Sequence, residues 1–104
     1  MTDYDKKKNQ LIRKCKEFLE SHDGCVVITK QTPKIKLYYF GDFIETTIDS
    51  MYFKNGYDDN DNEVREVWVT TFAEEYPDGV AYDNLAEFSN YEIISIMGLF
   101  GIKL

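Results

Sequence analysis

Three groups of side chains in this sequence have types that can do chemistry. His22 lies three residues before Cys25. A histidine beside a cysteine can take the thiol proton and leave a thiolate nucleophile. The run Asp58-Asp59-Asn60-Asp61-Asn62-Glu63 is rich in the oxygen ligands that hard cations such as calcium prefer. Glu74, Glu75 and Asp78 would hold Mg²⁺ against a phosphate substrate in a metal-dependent hydrolase.

Spacing weakens each case. His22 and Cys25 straddle the end of an expected helix, so their separation does not fix their geometry, and no third group orients the base. Counted from Asp58, the sixth position is Glu63 where an EF-hand needs glycine, and the twelfth is Val69 where it needs glutamate. Starting at Asp59 or Asp61 does no better. The carboxylates at 74, 75 and 78 have no basic residue close in sequence to hold a phosphate. One histidine and two cysteines are too few for a closed zinc site in one chain. The phosphate-cradling G-x-x-x-x-G-K-[ST], the dinucleotide G-x-G-x-x-G and the G-x-S-x-G elbow are all absent. The sequence therefore assigns no catalytic residue, no metal ligand and no cofactor, and the expected protein is not an enzyme.

Charge is the stronger signal. Residues 1–40 hold nine of the twelve basic residues against five acids, a net of +4. Residues 41–104 hold fourteen of the nineteen acids against Lys54, Arg65 and Lys103, a net of −11. The chain as a whole is at −7, which repels nucleic acid at long range, so nucleic acid is not the expected partner. The basic cluster Lys6-Lys7-Lys8 with Arg13, Lys14 and Lys16 is spread around its helix and reads as a solvated surface.

With 104 residues, 43% hydrophobic and 30% charged, the chain is expected to form one soluble domain, 1–104. No apolar run is long enough to span a membrane, and the charged N-terminus does not read as a secretory signal. The expected location is cytoplasmic, with Cys15 and Cys25 as two reduced, packed thiols. Three alanines against many Asn, Asp, Lys, Tyr and Ile is a composition that often accompanies AT-rich coding DNA, as in mobile elements.

The elements that must carry these side chains follow from periodicity. Leu11, Ile12, Cys15, Phe18 and Leu19 share one face of a helix predicted over 4–21, with Tyr4 extending the stripe, Thr2, Asp3 or Asp5 at its start and Gly24 ending it. Strands are predicted at 25–29 and 35–40, then after a Gly41-Asp42 turn at 43–53 with a bulge near Asp49-Ser50. A loop over 55–63, a strand at 64–72, a turn at 76–79 and a short edge strand at 80–82 follow. Ser89 and Glu92 form a capping box, stapled by Phe88 and Ile93, for a last helix that Gly101 can end. That helix is apolar on nearly all sides and is expected to be buried, with Gly98 allowing close packing. The fold expected is α+β: an antiparallel meander of four to five strands, order α-β-β-β-β-(β)-α, with both helices on one face.

If Ile35, Leu37 and Tyr39 face the helices, Tyr38 and Phe40 face away. A two-layer fold should keep its outer sheet face polar, so aromatics there mark a docking surface. The expected partner surface comprises Tyr38, Phe40, Tyr52, Trp68 and Phe72, rimmed by Asp58, Asp59, Asp61 and Glu63. The leading expectation is a non-enzymatic protein–protein interaction module that binds a protein or itself. One alternative is an acidic, nucleic-acid-mimicking inhibitor or immunity-type protein; another is the metal-dependent hydrolase above.

Overall fold

The computed structural model describes residues 2–30, 32–39 and 41–104. Helix α1 covers Asp3–Glu20 and starts at Thr2, whose hydroxyl accepts from the Asp5 N–H while the Asp5 carboxylate accepts in return. Leu11, Cys15 and Leu19 are fully buried on its apolar face. Ser21 closes the helix, and Asp23 and Gly24 both take left-handed backbone conformations. The Gly24 N–H donates to Leu19 O at 2.7 Å, which reverses the chain into the sheet.

Among the described residues five antiparallel strands follow: β1 Cys25–Val27, β2 Ile35–Tyr39, β3 Asp42–Tyr57, β4 Glu63–Phe72 and β5 Val80–Asn84. A 3-10 turn at Leu85–Glu87 leads to helix α2, Asn90–Phe100. Strands β2 to β5 form hairpins in chain order; β1 instead pairs with the far half of β3, in the order β1-β3-β4-β5. One core joins Leu11, Cys15 and Leu19 of α1, Leu37, Ile48, Met51, Val67 and Val69 of the sheet, and Ile93, Ile96 and Met97 of α2. Among the described residues, no helix is long and apolar enough to cross a membrane.

Several boundaries differ from expectation: β1 stops at Val27 rather than 29, β5 runs on to Asn84 rather than 82, and both ends of β3 move. The β2–β3 turn is shifted by one residue: Tyr39 pairs with Asp42, and Gly41 carries the positive φ of +83°. Asp42 is thereby a strand residue whose carboxylate accepts from the Phe43 N–H. Strand β3 runs four residues past Phe53, because Lys54 faces Glu66 and Asn55 faces Arg65 across the hairpin. Opposite charges directly across an antiparallel pair support pairing that a polar sequence alone does not advertise. The bulge falls where the alternation stumbles: Ile48 pairs with Thr71 and Ser50 with Thr70, leaving Asp49 as the extra residue.

The capping box of α2 forms as expected, Ser89 with Glu92, and left-handed Gly101 ends the helix. Gly98 does not serve close packing. A Cβ built on it meets nothing within 4 Å, and the residue is exposed. Replacing Gly98 with Ala therefore removes backbone freedom from the unfolded chain without a clash. The expected gain is about 1 kcal/mol, raising the thermal midpoint by roughly 4–8 °C. Tyr4 is half-exposed rather than part of the core. Its hydroxyl accepts from the Asn90 N–H at 3.0 Å and its carbonyl from Asn90 Nδ2 at 3.1 Å, so it ties α1 to the start of α2.

Candidate functional site

Both helices cover the same side of the sheet, so its other face is open. Antiparallel partners point to the same side, which lets register define that face. One row across it is Cys25, Tyr52, Trp68 and Asn84; the adjacent row is Val27, Ser50, Thr70 and Tyr82. Beyond them lie the pairs Lys54 with Glu66 and Thr47 with Phe72. The hairpin β2–β3 continues the face through Lys36 with Glu45 and Tyr38 with Phe43. Several of these side chains are large and open: Tyr38 is 54% exposed, Phe43 62%, Phe72 42% and Tyr82 61%.

Trp68 is the most constrained of them. Its indole N–H donates to Glu66 Oε1 at 3.2 Å, and Asn84 Nδ2 donates to Glu66 Oε2 at 3.0 Å. Lys54 Nζ sits 3.9 Å from the centroid of the Trp68 ring, a cation–π contact. The Glu66 carboxylate lies where a side chain at position 56 would stand, so Gly56 is what admits it. On the neighbouring row the Thr70 hydroxyl donates to Tyr52 Oη at 3.2 Å. Trp68 thus keeps one orientation on an otherwise open face, which lowers the entropy lost when a partner covers it.

The chain matches no family model, no curated protein and no solved structure.

Of the surface residues expected from sequence, Tyr38, Tyr52, Trp68 and Phe72 all lie on the open face; Phe40 lies outside the described residues. They do not form one compact patch. Nine residues of strand separate Phe43, opposite Tyr38, from Tyr52, opposite Trp68, which is roughly 30 Å along β3. The acidic positions are set apart again. Asp58, Asp59 and Asp61 sit at the exposed tip of the β3–β4 hairpin and Glu63 at its base, where it pairs with Tyr57. Asp58 organises the tip, accepting from the Asn62 and Asn60 N–H groups at 2.9 Å each. Those donors, Asn62 first, hold its carboxyl below the usual range. Among the described residues, no three His, Cys, Asp or Glu side chains are grouped to hold a metal ion.

Phe43, Val27 and Tyr82 were not foreseen on this face. Phe43 joins it only once the turn register is known, and Val27 only because β1 pairs with β3. The alternation of Val80 and Tyr82 against Ala81 and Asp83 was the one available signal. In sequence, Lys34 is far from the carboxylates of the 73–79 segment. The fold sets Lys34 with Glu45, Glu74, Glu75 and Phe72 around a concavity of about 440 Å³ whose lining does not include Asp78.

His22 and Cys25 are both exposed, and His22 Nδ1 is engaged with Phe18 O at 2.7 Å and Ser21 Oγ at 3.1 Å. The cysteines are free but differ in burial, contrary to the expectation that both are packed. Cys25 is drawn outward because it shares the row of Tyr52 on the open face. Burial in the core pushes the Cys15 thiol from 9.0 up to about 12. The folded protein holds that proton while the unfolded chain releases it near 9.0, so this group withdraws stability as pH rises from 9.0 towards about 12. With iodoacetamide at mildly alkaline pH, mass spectrometry should find one adduct, on Cys25, with Cys15 modified only after denaturation.

Proposed function

We propose that this protein is a non-enzymatic interaction module, binding another protein chain through the open face of its sheet. The observation that carries the proposal is Trp68, held in one orientation by Lys54, Glu66 and Asn84 within a face where aromatic rings stand open. Tyr and Trp are enriched at interface centres because they bury large areas at low entropic cost. The test is retention on the immobilised chain at low and high salt, alongside measurement of its own mass in solution. Trp68→Ala should weaken the association by about 2 kcal/mol or more, the cost of losing a hot spot. A strict monomer that retains nothing would end this reading.

A second reading draws on charge. Residues 41–84 carry twelve acids against Lys54 and Arg65. Asp58, Asp59, Asp61 and Glu63 project on a hairpin that extends about 17 Å beyond the Tyr52–Trp68 row. A partner recognised there would be a basic protein, displaced by salt because exposed charges are screened. Retention that survives high salt favours the apolar face instead.

A further inference from the structure

Strand β5 ends the sheet and is hydrogen-bonded to β4 on one side only. Register tells which of its backbone groups turn outward. The Ala73 N–H donates to Gly79 O at 3.3 Å, so these two form a hydrogen-bonded pair. Such pairs alternate along an antiparallel ladder, so Thr71 with Ala81 and Val69 with Asp83 are bonded as well. Val80 and Tyr82 fall between them and point their N–H and C=O groups away from β4. Among the described residues no hydrogen-bond partner meets those groups. Proteins usually blunt such an edge with a very short strand, a lysine, a proline, a bulge or a covering side chain. The opposite margin of the sheet has these devices. Strand β1 is three residues long, and on β2 Lys36 is exposed and Glu92 takes the Tyr38 N–H at 2.8 Å. Strand β5 has five residues in unbroken register, without lysine or proline.

Charge selects the occupant. From Glu66 to Ile102 the chain has seven acids and no lysine or arginine. Two β5 edges side by side would bring these acids together, which disfavours a second copy and favours a basic partner. An added strand would turn alternate side chains to the two faces of the sheet. One set would lie beside Tyr82 on the open face, where β-branched or aromatic residues pair well with it. The other set would lie beside Asp83 on the inner face. Asp83 there lines a concavity of about 220 Å³ with Glu87, Glu92, Tyr38, Tyr39 and Phe88, to which β4 contributes nothing. Carboxylates and aromatic rings together suit a lysine or arginine side chain. We infer that the β5 edge takes up an extended segment of a partner protein by antiparallel strand addition, a segment in which basic and apolar residues alternate. Its backbone would bond to Val80 and Tyr82, its basic side chains would approach Asp83, and its apolar ones would pack on Tyr82. This rests on the reading of the protein as an interaction module, on a surface other than the Trp68 row.

The probe is a labelled synthetic peptide alternating lysine and valine, added to the full chain and followed by fluorescence anisotropy and amide hydrogen exchange. It should bind and slow exchange of the Val80 and Tyr82 N–H groups. The same peptide N-methylated at its valines keeps its charge but loses the donors that face β5, and should bind at least about tenfold more weakly. A peptide alternating glutamate and valine should not bind. Tyr82→Pro removes an outward N–H without touching the pairing with β4, and should weaken binding about fivefold or more. Tyr82→Val keeps that N–H and should bind as the wild type does, with circular dichroism confirming that both variants are folded. No binding of the lysine–valine peptide, equal binding of its N-methylated form, or unchanged exchange at Val80 and Tyr82 overturns the inference. Protection of those amides that rises with protein concentration in the absence of peptide would give the edge to a second copy, and also overturns it. Loss of peptide binding in Trp68→Ala would place the peptide on the open face instead. If the peptide fails while Trp68→Ala still abolishes retention of a partner protein, only the strand addition falls.

Discussion

Leu37→Ala should lower stability by about 2–5 kcal/mol, enough to depress the thermal midpoint by 10 °C or more in a chain of this size. Leu37 is fully buried and is the only residue of β2 that is. Truncation removes apolar contacts and leaves a cavity that the surrounding Leu, Ile and Met side chains cannot close without rotamer strain. The neighbouring substitution Tyr38→Ser offers the contrast. Tyr38 points to the other face, is half-exposed and meets Phe43 edge to face at 5.2 Å. Its loss should cost no more than about 1 kcal/mol of stability, the usual worth of an exposed aromatic pair. Paired melts by circular dichroism would check both, and equal losses would mean that β2 does not have one buried and one open side.

Glu92→Ala should cost about 2–3 kcal/mol, unusually large for a half-buried side chain near the surface. Its Oε1 accepts from Ser89 N–H at 3.1 Å and from the Ser89 hydroxyl at 2.8 Å, while Oε2 accepts from the Tyr38 N–H at 2.8 Å. One carboxylate therefore caps α2 and also satisfies a donor on β2. Hydrogen bonds to a charged acceptor are stronger than neutral ones, so both contributions go when the group is removed. Glu92→Gln should recover only about half, because its amide keeps one acceptor oxygen and turns an N–H₂ towards the other donor. Denaturant melts of the three proteins give the order. Full recovery by Gln would show that Tyr38 does not depend on this side chain.

The buried hydroxyls tell a related story. The Thr46 hydroxyl spends its single hydrogen on Ile44 O at 2.9 Å, so Tyr76 must donate to Thr46 across their 3.1 Å contact. Thr71 reaches the same phenol at 3.2 Å. These polar groups are tolerated in the core because they satisfy one another. Nearby, Tyr39 donates to Asp83 at 2.6 Å, and burial, reinforced by that carboxylate, raises its phenol above the ordinary range. No local pattern around Thr46, Thr71 or Tyr76 announces this network, since its members are separated by up to thirty residues.

Local sequence determined what local physics controls. The stripe Leu11, Cys15, Leu19 imposed α1, Ser89 and Glu92 fixed the start of α2, and period-two alternation placed Leu37 inward and Tyr38 outward. The bulge at Asp49 was legible because one extra residue inverts the alternation after it. Tertiary structure alone decided which strands are neighbours and what their faces gather. Pairing of β1 with β3 brings Cys25 and Val27 beside Tyr52 and Ser50, and Glu66 reaches Trp68 through the groove that Gly56 leaves. The physical reason is range. Capping and periodicity act within a few residues, whereas the open face is assembled from segments up to sixty residues apart, ordered only when the helices claim the opposite side.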